Sequence, residues 1–292
     1  MELRQLEYIV AIADHGGFTK AATSLRVSQP SLSNGVRHLE TELGIELFLR
    51  LGRTVQPTAA GEEVVDSARR VLREVTDLVA VSRAAGELHI GRLDIVVLPT
   101  LAVDPLAGLI GRFRTRYPDV TVRVGEPEDA ASIEQQVRSG RAELGFTDLT
   151  TGGTGLTRVE LFRQEVFAVC PPSTELPEGP LSSADFASMP LIVTPQGTST
   201  RRLVDRVTAH TDQAPRIVVE INHREAILPL VLAGAGVSLL PAPMARDAQT
   251  RGAVVRSLRP QMKRRIGIIH RRGVLSPAAT AMIELAKQFR PR

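Results

Sequence analysis

Ser28 to Arg37, SQPSLSNGVR, carries two kinds of side chain at helical spacing. Leu32, Val36 and Leu39 recur every three to four residues as a stripe to be buried, and Gln29, Pro30, Ser31, Ser33, Asn34 and Arg37 fall outside it. A glutamine or asparagine amide sets a donor beside an acceptor and can bond an adenine edge, while arginine suits guanine or a phosphate. This is the chemistry of hydrogen-bond exchange with base edges and phosphates. For any one of these residues alone, a solvated helix face is the plainer alternative. Ser28 is placed as the N-cap, and Pro30 costs little because first-turn amides lack helical partners anyway. Gly35 is the irregularity: mid-helix glycine costs about 1 kcal/mol relative to alanine. At about 100° per residue it lies beside the Leu32–Leu39 face, away from Asn34 and Arg37. Two explanations stay open at this point. A close neighbour needs the space, or the helix gives up side-chain reach and binds more weakly per subunit.

A second set of polar residues follows the ends of apolar runs. Thr100 and Leu101 follow LDIVVLP, Thr147 follows AELGF, Thr194, Gln196 and Thr198 lie in TPQGTSTR, and Asn222 and His223 close RIVVEI. Ligands of open α/β sheets sit beyond the carboxyl ends of strands, so these are the candidate ligand-binding residues. TPQGTSTR offers hydroxyls and amides at a helix start, suited to a carboxylate or phosphate; Thr198 and Ser199 serve equally well as caps. His223 has no second histidine at metal-ligand spacing, and no metal site is expected. The single cysteine, Cys170 in VFAVC, excludes an intramolecular disulfide switch and reads as a buried strand residue. With no glycine-rich phosphate loop, GxSxG or paired metal ligands, neither a catalytic site nor a cofactor is expected.

These residues need a scaffold. Leu3, Leu6, Val10 and Ala13 mark a first helix stopped at Gly16-Gly17. KAATSLRV is a second, with Thr19 as its N-cap, and the third buries Leu32, Val36, Leu39 and Leu43 before Gly44. Short helices across a tight turn make a helix-turn-helix, and IELFLRLGRTVQPT alternates as a hairpin around Gly52. Thr19, the helix amide ends and Arg53 in the hairpin are candidates for phosphate contacts. Thr58 caps a long helix in which Val64, Ala68, Val71, Val75 and Leu78 recur at fours and threes. That seam predicts dimerisation through a second copy, the alternative being packing within the chain. From Gly86 onward, strand-helix-strand-helix-strand occurs twice, which predicts two α/β lobes. RRIGIIHRRG and SPAATAMIELAKQF add a strand and a helix, expected to complete the first lobe.

The net charge of +4 arises in the tail: residues 251–292 hold eleven bases against Glu284, whereas residues 1–60 hold six bases and six acids. Net charge therefore says nothing about where a nucleic acid would lie. The apolar tract AILPLVLAGAGVSLLPAPMA is broken by three prolines and two glycines, and the N-terminus lacks an export pattern. A soluble, cytoplasmic protein without membrane partners is expected.

The block LEYIVAIADHGGFTKAATSLRVSQPSLSNGVRHLETELGIELFLR, followed by TAAGEE, resembles the N-terminal signature of LysR-type transcriptional regulators. The likeness continues through LPTLA, FRTRYPDVTV, AELGFT and LPLVLAGAGVSLLP, over essentially the whole chain. The resemblance implies an α/β protein with a winged helix-turn-helix over residues 1–58 and a dimerising linker helix over 59–87. Residues 88–292 would then form a two-lobed effector-binding domain resembling periplasmic solute-binding proteins. Lobe I would take about 88–163 plus 265–292, and lobe II about 164–264. The implied partners are double-stranded DNA, a small effector and the chain itself, as a dimer that pairs into a tetramer; the hydroxyls and amides of TPQGTSTR suit an anionic effector. Thr100 and the Thr194–Thr198 loop match positions that often line the family's effector cleft. Where such proteins carry a polar side chain such as glutamine, this chain has Gly35, and where many carry arginine it has Asn34. An effector-independent regulator remains as an alternative. A solute-binding protein would have no use for the helix-turn-helix.

Overall fold

A computed structural model describes residues 1–51, 54–83, 91–150, 153, 155–176, 178–209, 211 and 214–290. Three helices open the chain: α1 (Leu3–His15), α2 (Phe18–Ser24) and α3 (Gln29–Leu43). They are followed by an antiparallel pair, β1 (Phe48–Leu51) and β2 (Thr54–Pro57). Gly16 ends α1 and Gly44 ends α3, both with left-handed backbone, φ 68° and 70°. Ser28 caps α3 by accepting the Ser31 N–H at 3.2 Å. Leu6, Ile9, Ile12, Ala21, Leu32, Val36, Leu39 and Leu47 make the core of this head.

Two expectations are corrected here. Thr19 does not cap α2; Gly17 does, and Thr19 stands exposed in the first turn. The ring of Phe18 packs against Phe48 with centroids 6.2 Å apart, and Phe18 is already helical. Leu43 is 39% exposed, because the chain turns at Gly44 and Leu47 takes the core position beyond it.

Helix α4 (Ala59–Arg83) starts where the Thr58 hydroxyl accepts the Gly61 N–H at 2.8 Å. Val65 and Ala68 are buried in the head's core, with Val64 and Leu72 packed beside them. The stripe left open to a second chain is thus narrower than the spacing predicts, with Val71 43% exposed and Val75 partly so. The side chain of Leu78 lies outside the described residues.

The first lobe holds three parallel strands, β3 (Gly91–Val97) between β4 (Val120–Gly125) and β5 (Leu144–Asp148). Helices Ala107–Arg116, Ala130–Arg138 and Pro277–Lys287 contribute Leu109, Phe113, Ile133, Val137, Met282 and Ile283 to its core. β6 (Thr157–Cys170) is the long element. Its first half pairs with strand Lys263–His270, which also pairs with β5. Its second half pairs with Ser238–Pro241 and Val254–Arg256 of the second lobe. β6 and Lys263–His270 therefore cross between the lobes side by side. The second lobe adds the parallel strands Leu191–Val193 and Ile217–Glu220 and helices Ser199–Thr208, Ile227–Leu232 and Ala242–Thr250. Both strand-helix-strand-helix-strand series occur as the sequence predicts, and the C-terminal strand and helix join the first lobe.

Candidate functional site

On α3 the buried stripe and the polar face separate cleanly. Leu32, Val36 and Leu39 are buried, Ser33 is half-buried, and Ser28, Gln29, Pro30, Ser31, Asn34 and Arg37 are exposed. Amide, hydroxyl and guanidinium groups thus share one accessible helix face. Arg53 lies outside the described residues. Gly35 now has a physical explanation: a Cβ there would sit 2.8 Å from both Cδ2 and Cε2 of Tyr8. Tyr8 is 6% exposed, and the Arg4 guanidinium lies 5.9 Å from its ring centroid. The Gln5 side-chain amide donates to the Gly35 carbonyl at 3.4 Å. α1 therefore occupies the space that a side chain at position 35 would need.

Gly35→Ala should then lose about 1 kcal/mol of stability. An overpacking cost of about 1–3 kcal/mol outweighs about 1 kcal/mol gained in helix propensity. In a Tyr8→Ala background the same change should stabilise, and thermal denaturation of the four proteins checks the reversal of sign.

The interlobe residues form a second group. Thr100 lies buried in the short helix after β3, and its hydroxyl accepts from both terminal nitrogens of Arg264 at 3.2 Å. Arg264 belongs to the crossing strand Lys263–His270 and is 1% exposed. One terminal nitrogen also donates to Oε1 of buried Gln164 on β6. Burial pulls the Arg264 pKa down to about 10, opposed by the Asp148 carboxylate, so the guanidinium stays charged at neutral pH. The hydroxyls of Thr147 and Thr200, residues 1% and 3% exposed, have no hydrogen-bond partner among the described residues. Thr194 shares a 2.6 Å hydrogen bond with the hydroxyl of Thr198. Thr198 caps helix Ser199–Thr208 by accepting the Arg201 N–H at 3.3 Å, and it donates to the Pro195 carbonyl. Capping is thus realised, with the buried Thr194 behind it.

The other expected residues are placed differently. Leu101 is fully buried in the first lobe's core, and Gln196, Asn222 and His223 are exposed. Cys170 is buried on β6, and burial pushes its thiol up to about 11. The residues not anticipated are Arg264, Gln164, Arg224 and Glu128. For Arg264 a signal existed: in KRRIGIIH it alternates in phase with Ile266 and Ile268, a charge on the apolar face of a strand.

Glu128, in the loop after β4, reaches across to the second lobe. Its carbonyl accepts the Ser199 N–H at 2.9 Å, and its carboxylate pairs with Arg224. Arg224 also donates to the Ser199 hydroxyl at 3.3 Å, and Asp129 lies 3.9 Å from Arg202. Glu128→Gln should weaken this lobe-to-lobe closure by about 1 kcal/mol, the scale of a partly exposed pair. A larger radius of gyration by X-ray scattering is the expected sign.

Residues 86–290 match the family described as LysR substrate binding domain. Residues 3–62 match that described as bacterial regulatory helix-turn-helix protein, lysR family. The chain is 31% identical over 295 residues to the hydrogen peroxide-inducible genes activator of Escherichia coli O157:H7, covering all of this chain and 96% of that protein. Its structure is similar to full-length OxyR from Pseudomonas aeruginosa, a cysteine-to-aspartate variant, with TM-score 0.79 and 26% identity over 98% of this chain and 93% of that one. It is also similar to full-length CbnR complexed with its target DNA, with TM-score 0.65 and 25% identity over 99% of both chains.

Proposed function

The chain belongs to the LysR family of DNA-binding transcriptional regulators, and from that premise we propose that α3 enters the DNA major groove while a small effector between the lobes biases the arrangement of paired heads. The observation that carries this reading is the exposed amide, hydroxyl and guanidinium face of α3, backed by buried Leu32, Val36 and Leu39. Gln29 and Asn34 read adenine edges, and Arg37 takes a guanine or a phosphate. Ser28, Ser31, Ser33 and Thr19 fix register on the backbone. Self-association uses the exposed side of α4 around Val71 and Val75. The likeness to CbnR on its target DNA supports the docking. No described helix is long and apolar enough to cross a membrane, and we propose that the protein works in the cytoplasm, where its DNA lies.

Peroxide sensing does not transfer from the relatives' name. The only cysteine is buried, with its thiol held protonated at neutral pH, and a reactive thiol needs the opposite.

The test is Arg37→Ala in a binding assay across salt concentrations. Affinity should fall by about 1–3 kcal/mol for a lost base contact, with relaxed preference at one position. A loss uniform across sequences, with the salt slope reduced by about one, assigns Arg37 to phosphate. Unchanged affinity and slope would remove α3 from the interface.

A further inference from the structure

Three faces of α4 have three different surroundings. Val65, Ala68 and Leu72 lie against the head, and Val71 and Val75 keep exposed surface. At about 100° per residue, Asp66, Arg70 and Arg73 fall together on a third face, which meets the first lobe of the same chain. Arg73 donates to the Gly140 carbonyl and lies 3.9 Å from Asp94 of β3. Arg141 lies 4.0 Å from Asp66. The approach is close: Gly140 has left-handed backbone, φ 77°, and a Cβ there would sit 3.3 Å from Cγ of Arg70. Asp66 also faces Arg69 at 3.9 Å, and Arg69 pairs with Asp14 of α1. Alternating charges thus run from Arg141 of the lobe, through α4, to Asp14 of the head. A hollow of about 310 Å³ is bordered by all three parts, with Val10 from α1, Leu72 and Arg73 from α4, and Asp94 and Glu143 from the lobe. Burial raises the Asp66 pKa against the pull of Arg141 and Arg69. Fully exposed ion pairs hold little, but the Arg69 and Arg73 side chains are only 11% and 16% exposed.

We infer that Arg73 and Asp66 are positioning residues for DNA binding: they dock the first lobe on α4 of its own chain, so that the place of the lobe sets how the head is presented to DNA. This rests on the head being the part that meets DNA. A head held in place has less freedom to lose on binding, so the docked arrangement favours the complex. The contacts are polar, with Asp14 and Arg141 about half exposed, and water can replace such contacts at small cost. The joint is therefore one that can be made and released. An apolar seam across the same face would weld lobe to head, and a fully solvated face would leave them independent. Within one chain, the joint gives a movement of the first lobe a direct route to the helix on which the head is seated.

The experiment places Asp66→Cys and Arg141→Cys in the full chain and treats it with a short bismaleimide; Cys170 is buried and leaves these two thiols as the reactive ones. The product should run at the mass of one chain on a denaturing gel, with the two positions linked in its peptides. A product of twice that mass, or none, overturns the docking. DNA binding is then read by fluorescence anisotropy on a labelled duplex from upstream of the protein's own gene. Arg73→Glu, which turns a carboxylate on the Gly140 carbonyl and Asp94, should lower affinity several-fold, and Arg73→Lys should retain it. Placed in the two-cysteine chain, Arg73→Glu should regain affinity once the cross-link is made, which a variant that had merely damaged the fold would not do. Affinity unchanged by Arg73→Glu overturns the positioning role, as does a loss that the cross-link does not restore. If Arg37→Ala leaves binding untouched while the cross-link and its rescue hold, the reading of α3 fails and the joint stands.

Discussion

Leu32→Ala should abolish specific DNA binding without altering a single exposed group of α3. Leu32 is fully buried, packed with Ile9, Ile12, Ala21 and Leu39 at the centre of the head. Removing a leucine side chain from such a site costs about 2–5 kcal/mol, transfer plus cavity. A head of about sixty residues has little stability to lose, since domains of that size are marginal. Denaturant unfolding of the variant should show the lost stability, and binding should fail with it. Arg37→Ala should do the reverse, losing affinity while unfolding within about 0.5 kcal/mol of wild type. If Leu32→Ala unfolds like wild type, α3 is not seated as described.

Gly61→Ala should destabilise the same head by about 2–3 kcal/mol, through backbone instead of side chain. A Cβ at position 61 would lie 2.0 Å from the Leu47 carbonyl oxygen and 2.9 Å from its carbon. That carbonyl cannot easily retreat, because it accepts the Thr58 N–H at 3.0 Å, and the Leu47 amide is held by Glu40 at 2.8 Å. The cost belongs at the upper end of overpacking, about 3 kcal/mol, less a share of the propensity gained by replacing a helical glycine. Here lies the physical meaning of the glycine in TAAGEE: the first turn of α4 docks directly on the backbone that leads into the hairpin. Unfolding at wild-type denaturant concentration would show that this close approach is not kept in solution.

Much of the architecture is written in local pattern. Ser28 and Gly44 bound α3 through caps that depend on a few neighbouring residues, and the apolar stripe between them fixes which face is buried. The two α/β series are legible because each strand and helix carries its own periodicity. What escapes local reading are the long-range contacts. Thr19 looks like a cap until Phe18 meets Phe48. Ala68 looks like half of a dimer seam until α1 lies against α4. Gly35 is visibly beside the buried stripe, but only the placement of α1 supplies Tyr8 as the reason.

The interlobe site divides the same way. Strand ends point to Thr100, Thr147, Thr194 and Thr198, all of which are buried. The same rule also selects Gln196, Asn222 and His223, which are exposed, because a loop's depth depends on what covers it. Arg264 is one of eleven bases in the tail, and among the described ones it is the one that is buried, 1% exposed. Its alternation with Ile266 and Ile268 was the usable signal.

The most direct test of a symmetric DNA-binding regulator is a nuclease footprint of the full chain on DNA upstream of its own gene, at two salt concentrations. Protection should cover paired half-sites spaced by about one helical turn, should survive the higher salt, and should be lost with Gln29→Ala combined with Asn34→Ala. Protection without preferred position, fading uniformly as salt rises and indifferent to those two substitutions, would contradict sequence reading by α3.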